Sequence, residues 1–197
     1  LDMLINNAGI GTAGAKRQVS ADGYELRFAV NYLAGFLLTS ELLPLLKASA
    51  PARIVNVASA GQQAIDFGDV MLTHGYSGVR AYCQSKLAQI LFTVDLAEQL
   101  KGTGVTVNAL HPASYMNTTM VRQAGVTPWS SVETGAEAIV NLAASPALAG
   151  RSGLYFDGLR ETRADAQAYD ARARQQLRKL SLDLIGPASS KSKDLNS

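Results

Sequence analysis

The sequence predicts an α/β protein built as a doubly wound parallel sheet with helices on both faces. Short and nearly continuous apolar runs at 2–6, 53–58 and 105–110 read as strands buried on both sides. Helical segments separate them, and a strand–helix–strand alternation implies parallel pairing through right-handed crossovers. Apolar residues make up 47% of the 197 and charged residues 17%, enough for the core of one domain and too apolar for a disordered chain.

The elements follow in order. The run 2–6 ends in a turn-like Asn-Ala-Gly. Ser20 is a plausible N-cap, with Asp22 and Glu25 in the first turn where acids suit the helix dipole. That helix runs to about Lys47, with apolar residues spread so widely around it that deep burial is expected. After Pro51 comes the strand 53–58, then a glycine-rich stretch, 60–79, that reads as a loop. Leu87, Ile90, Leu91, Val94 and Leu100 place a helix over 80–101, ended by Gly102 and Gly104. A third strand covers 105–110, stopped by Pro112. A helix follows at 132–144, a short fourth strand at 154–156 and a last helix at 165–184. Residues 187–197 are small and polar and read as a frayed tail.

Composition excludes several classes of function. One cysteine, Cys83, permits no intrachain disulfide, and with only His74 and His111 no metal site is expected. A net charge of +2, with both signs interspersed in the charged C-terminal segment, does not argue for nucleic acid. No apolar run approaches a membrane span and nothing at the start resembles a signal peptide, so the expected compartment is the cytoplasm.

In an open parallel sheet, ligands bind at the carboxyl ends of the strands, which directs attention to 7–14, 59–62 and 111–118. Gly9-Ile-Gly11-Thr-Ala-Gly14 matches the literal dinucleotide fingerprint, but Lys16-Arg17-Gln18-Val19 intervenes before the next helix, and Glu25 falls inside one. A loop passing close to a ligand, without the pyrophosphate role, fits better. Tyr82 and Lys86 stand four apart on one helix face. A cation beside a phenol favours phenolate, so the pair can act as a general acid/base, although a surface tyrosine and lysine have the same spacing. Ser59, just after a strand, faces the crevice or simply caps a turn. Asn31, inside a very apolar helix, needs partners for its amide: it ties the helix to a neighbouring backbone, holds a water, or kinks the helix beside a site. Asn6 and Asn7 at a strand end can bond backbone across the sheet, and Ala8 and Gly9 admit a flat ligand.

Taken together, Asn6-Asn7-Ala8-Gly9, Val30-Asn31, Ile54-Val55-Asn56-Val57-Ala58-Ser59, Tyr82-x-x-x-Lys86 and His111-Pro112 resemble the short-chain dehydrogenase/reductase family, over Leu1 to about Gly186. Ala81 to Ala88, Gly104 to Pro112 and Gly153-Leu154-Tyr155-Phe156 resemble its retinol-dehydrogenase-like branch. The resemblance implies a Rossmann-like sheet of which residues 1–186 form the C-terminal two-thirds. The N-terminal strands and the glycine-rich pyrophosphate turn are missing.

It also implies an NAD(P)-dependent oxidoreductase interconverting an alcohol and a carbonyl on a small or lipophilic substrate, with NADP favoured over NAD by the branch. By that resemblance Tyr82 exchanges a proton with the substrate oxygen, Lys86 lowers the Tyr82 pKa and bonds the nicotinamide ribose, Ser59 holds the substrate oxygen, and Asn31 positions a water in a proton relay. Asn7, Ala8 and Gly9 would line the adenosine side of the cofactor. Pro112 to Thr118 would line the nicotinamide side, with Thr118 or Thr119 as carboxamide partner. Ala113 stands where the family has glycine. Ile65, Phe67, Met71, Tyr76 and the stretch from Tyr115 to Trp129 are expected to shape the substrate pocket. A homodimer or homotetramer would form through the helices at 21–47 and 80–101. The alternative is a truncated, non-catalytic binding module without cofactor; a nucleotide-sugar epimerase or dehydratase would need a larger C-terminal substrate domain.

Overall fold

The computed structural model describes residues 1–12 and 16–186, so the tail expected at 187–197 and Gly14 of the glycine-rich loop lie outside the described residues. Five strands form one sheet in the order β1 (Met3–Asn6), β2 (Ala52–Val57), β3 (Val105–His111), β4 (Tyr155–Asp157) and β5 (Arg160–Thr162). β1 to β4 run parallel, as the alternation of elements predicts. β5 turns back antiparallel through Gly158, whose φ is 58°. The sequence reading missed β5 because its three residues, Arg-Glu-Thr, carry no apolar alternation.

The helices are α1 (Ala34–Ala48), entered through a π-helical turn at Phe28–Leu33, then α2 (Gly78–Gln99), α3 (Thr119–Gln123), α4 (Val132–Ala144) and α5 (Ala171–Ile185). Side chains alternate between two cores, as a pleated strand requires. Ile54, Val107 and Ala109 face α2 and the π-helical turn. Val55 and Leu110 face α4, together with Ala138 and Leu142. The first core is tied by aromatic rings: Phe28–Tyr32 and Phe36–Phe92 centroids lie 5.1 Å apart.

Three details differ from expectation. Ser20 closes a turn by bonding Tyr24 rather than opening the helix; Glu25 caps it, its Oε2 accepting from the Phe28 amide at 2.7 Å. The first helix is buried on one face only, because the sheet covers one side and leaves Leu37, Leu38 and Leu45 exposed. Phe28–Ala48 is also one continuous helical stretch of 21 residues containing an 18-residue window of mean hydropathy 1.4, so by length and composition alone it does reach a membrane span, contrary to the sequence reading. Here it packs on the domain through Tyr32, Phe36 and Leu46.

The outer face of α2 is occupied within the chain. Arg174 and Arg178 of α5 reach Glu98 and Asp95 at 2.7 and 3.4 Å, and Tyr32 meets Ser181 at 2.6 Å.

Candidate active site

The carboxyl ends of β1, β2 and β3 deliver three loops, 7–12, 58–62 and 111–118, to one end of the sheet. α2 starts beside them because Ser77 caps it, accepting from the Arg80 amide. One and two turns later the helix presents Tyr82 and Lys86. Ser59 after β2, Asn31 of the π-helical turn, and Tyr82 and Lys86 of α2 are therefore brought to one end of the sheet.

Ser59 follows the last ladder bond of β2 and is 8% exposed. Its Oγ accepts from the Gly61 amide at 3.0 Å and shares the space around Gly61 with the edge of the Tyr82 ring. Gly61 is confined: a Cβ there would stand 3.4 to 3.6 Å from Cys83 Sγ, Ser59 Oγ and Tyr82 Cε1. Burial pushes the Tyr82 phenol above its usual value, and the Ser59 side chain pulls it back.

Lys86 lies 5.8 Å from the Tyr82 ring centroid and donates to the Val57 carbonyl at 2.9 Å and to Gln89 Oε1 at 3.0 Å. Two of its three hydrogens are thus committed among the described residues. Burial lowers its pKa from 10.5 to about 8. Burial and Ser59, rather than this lysine, dominate the Tyr82 phenol here.

The Lys86 shift has a testable sign. Below pH ~8 the lysine is charged in the folded and unfolded chains alike, and above that only the unfolded chain keeps the proton up to its ordinary value of 10.5. Stability therefore rises with pH across that window relative to Lys86→Met. Denaturant midpoints between pH ~7 and ~10 measure it, and parallel profiles for the two proteins contradict it.

Asn31 is 2% exposed and its amide is fully engaged. Oδ1 accepts from the Ile10 amide at 2.7 Å, while Nδ2 donates to the Ile10 carbonyl at 3.1 Å and to Ser85 Oγ at 2.9 Å. The neighbouring-backbone use is observed, and Asn31 also lies within the π-helical turn at Phe28–Leu33. It pins Gly9 against the site, where an added Cβ would lie 3.2 Å from Asn31 Oδ1 and 3.4 Å from Lys86 Nζ.

The expected ring around these four is partly present. Gly9 is partly buried in the first loop, while Asn7 and Ala8 are exposed at its rim. The cross-sheet bonds fall to Asn6, which reaches side chains rather than backbone: Thr39 and Asn56, at 2.9 and 2.8 Å. Pro112 begins the third loop, and Thr118 caps α3 by accepting from the Val121 amide at 3.4 Å. Met120 of α3 packs on Gly11. Among the described residues beyond the glycine-rich loop, 16–24 form bends, turns and a bridge.

Two expected pocket residues are otherwise engaged. Ile65 is a core residue, and Tyr76 donates to Glu25 and accepts from Arg27, which also bonds the Gly11 carbonyl at 2.8 Å. Tyr115 and Trp129 do stand exposed at the rim, ring centroids 5.2 Å apart. Gln89, Gln62 and Tyr155 escaped the sequence reading. Gln89 had a readable signal, standing three residues after Lys86 on the same helix face.

A family model described as short chain dehydrogenase matches residues 1–128. The chain is 41% identical over 204 residues to retinol dehydrogenase 13 of Homo sapiens, covering 94% of this chain and 61% of that protein, so it spans about three fifths of that relative's length. A crystal structure of an uncharacterised protein from Mycobacterium paratuberculosis superposes with a TM-score of 0.71 at 29% identity, covering 93% of this chain and 66% of that one. An NADPH-bound carbonyl reductase from chicken fatty liver superposes at 0.58 with 27% identity, covering 83% and 66%.

Proposed function

Because this chain belongs to the short-chain dehydrogenase family, we propose that its polypeptide is a nicotinamide-dependent oxidoreductase that interconverts an alcohol and a carbonyl on a small or lipophilic substrate. The observation that carries this is the junction of Ser59, Tyr82 and Lys86: a half-buried phenol ring with a serine hydroxyl at its edge and a buried ammonium 5.8 Å from its centroid.

The loop residues fit a flat cofactor. Gly9 leaves no side chain of its own between the crevice and Lys86, which among the described residues has one hydrogen uncommitted. Asn7, Ala8 and Gly9 would hold one side of it, and Pro112 and Thr118 the other. When bound, the cofactor supplies or accepts the hydride. Tyr82 gives a proton to the substrate oxygen as an alcohol forms, or takes it in the reverse direction. Ser59 holds that oxygen, its own Oγ oriented by the Gly61 amide. Lys86 holds the ribose and supplies positive charge beside the phenol. Asn31 keeps the first loop at the distance this requires.

The likeness to retinol dehydrogenase 13 and the exposed Tyr115–Trp129 pair support a lipophilic substrate. The NADPH-bound carbonyl reductase supports NADP over NAD. Self-association, if it uses the helices that the family resemblance implies, would fall on α1, because α5 covers α2.

The test is an assay of the native-length polypeptide with NADPH and, separately, NADH against medium- and long-chain aldehydes. Aldehyde-dependent loss of reduced cofactor, faster with NADPH, is expected. No turnover with either cofactor contradicts the assignment.

A further inference from the structure

We propose that Tyr155 is a positioning residue for Ser59, acting with Gln62 as a clasp on the serine's backbone carbonyl. The proposal rests on the reading that Ser59 serves the reaction. Tyr155 lies on β4, beyond the residues that the family model matches, and is 4% exposed. Its hydroxyl donates to the Ser59 carbonyl at 2.9 Å, and Gln62 Nε2 donates to the same oxygen at 3.1 Å. Gln62 is itself held, its Oε1 accepting from the Asp165 amide at 2.7 Å.

The clasp acts where the strand has stopped. β2 pairs through Val57, and the Ala58 amide still bonds the Leu110 carbonyl at 2.8 Å. The Ser59 carbonyl instead meets two side chains. Fixing that carbonyl fixes the peptide plane leading into residues 60 and 61, and so aims the Gly61 amide at Ser59 Oγ. With that amide occupying one acceptor site, the serine hydroxyl is turned toward Tyr82. β4 is a rigid support, since Tyr155 pairs with Ala109 in the parallel ladder. Burial holds the Tyr155 phenol protonated well above the usual tyrosine value, so it remains a donor at neutral pH.

Tyr155→Phe keeps the packed ring and removes only the donor; Gln62→Leu is the second variant, needed should the first fail to fold. In the native-length polypeptide, kcat is expected to fall about ten- to a hundredfold in Tyr155→Phe, with KM nearly unchanged. A second readout needs no turnover. With tyrosines labelled at ¹³Cζ and the Tyr82 resonance assigned by its loss in Tyr82→Phe, the Tyr82 titration midpoint is followed. It should move upward in Ser59→Ala and equally in Tyr155→Phe, and move no further in the double variant, because both changes remove the same Ser59 contact.

A Tyr82 midpoint unmoved by Tyr155→Phe overturns the proposal. So does a shift that adds fully to that of Ser59→Ala, or a Ser59→Ala variant that moves nothing. A protein that turns over no substrate but shows the equal, non-additive shifts overturns the functional reading and leaves the clasp standing.

Discussion

Tyr82→Phe lowers kcat by about 10²- to 10⁴-fold, the range lost when a positioned proton donor is removed, and leaves cofactor affinity close to wild type. The ring stays packed, so the fold is not the cause. What goes is the hydroxyl beside the Ser59 side chain that hands a proton to a developing alkoxide. Steady-state kinetics with a cofactor-binding titration check both halves. Turnover retained within a few-fold removes Tyr82 from the chemistry.

Asn31→Ala is expected to destabilise the protein by about 2 to 4 kcal/mol. The substitution strips partners from the Ile10 amide and carbonyl and from Ser85 Oγ, and a buried polar group left unpaired costs about 1–3 kcal/mol. Ile10 is only half-buried, so water recovers part of that and holds the sum to the stated range. Gly9 is then free to shift away from Lys86, so the variant should also lose cofactor affinity. Urea unfolding measures the first effect and a binding titration the second. An Asn31→Ala protein as stable as wild type contradicts the loop-pinning role and leaves only a water-holding one.

The sheet was legible because its strands are doubly buried: Arg53-Ile-Val-Asn-Val-Ala and Val105-Thr-Val-Asn-Ala-Leu permit little else. The helix at 132–144 was legible to the residue, with Ser131 as its cap. β5 was not, being polar and edge-placed. Neither was the partial burial of the first helix, since apolar residues around a helix do not say how many sides the fold covers.

At the site, Ser59, Tyr82 and Lys86 were readable from motif spacing because each sits at a fixed offset from a strand end or helix turn. The partners that orient them were not. The Tyr155–Ser59 contact spans 96 residues and the Arg27–Tyr76 contact spans 49, and nothing local encodes either. Asn31 was flagged for its buried amide, but which of two partners it takes depends on where the first loop returns.

The most direct test of the account is hydride tracing. The native-length polypeptide is given a lipophilic aldehyde and a reduced nicotinamide cofactor deuterated at the transferring position, and the product alcohol is analysed by mass spectrometry. The account predicts one deuterium carried directly into the alcohol by the wild-type protein and almost no product from Tyr82→Phe. An alcohol formed without the label, or formed equally by both proteins, would contradict it.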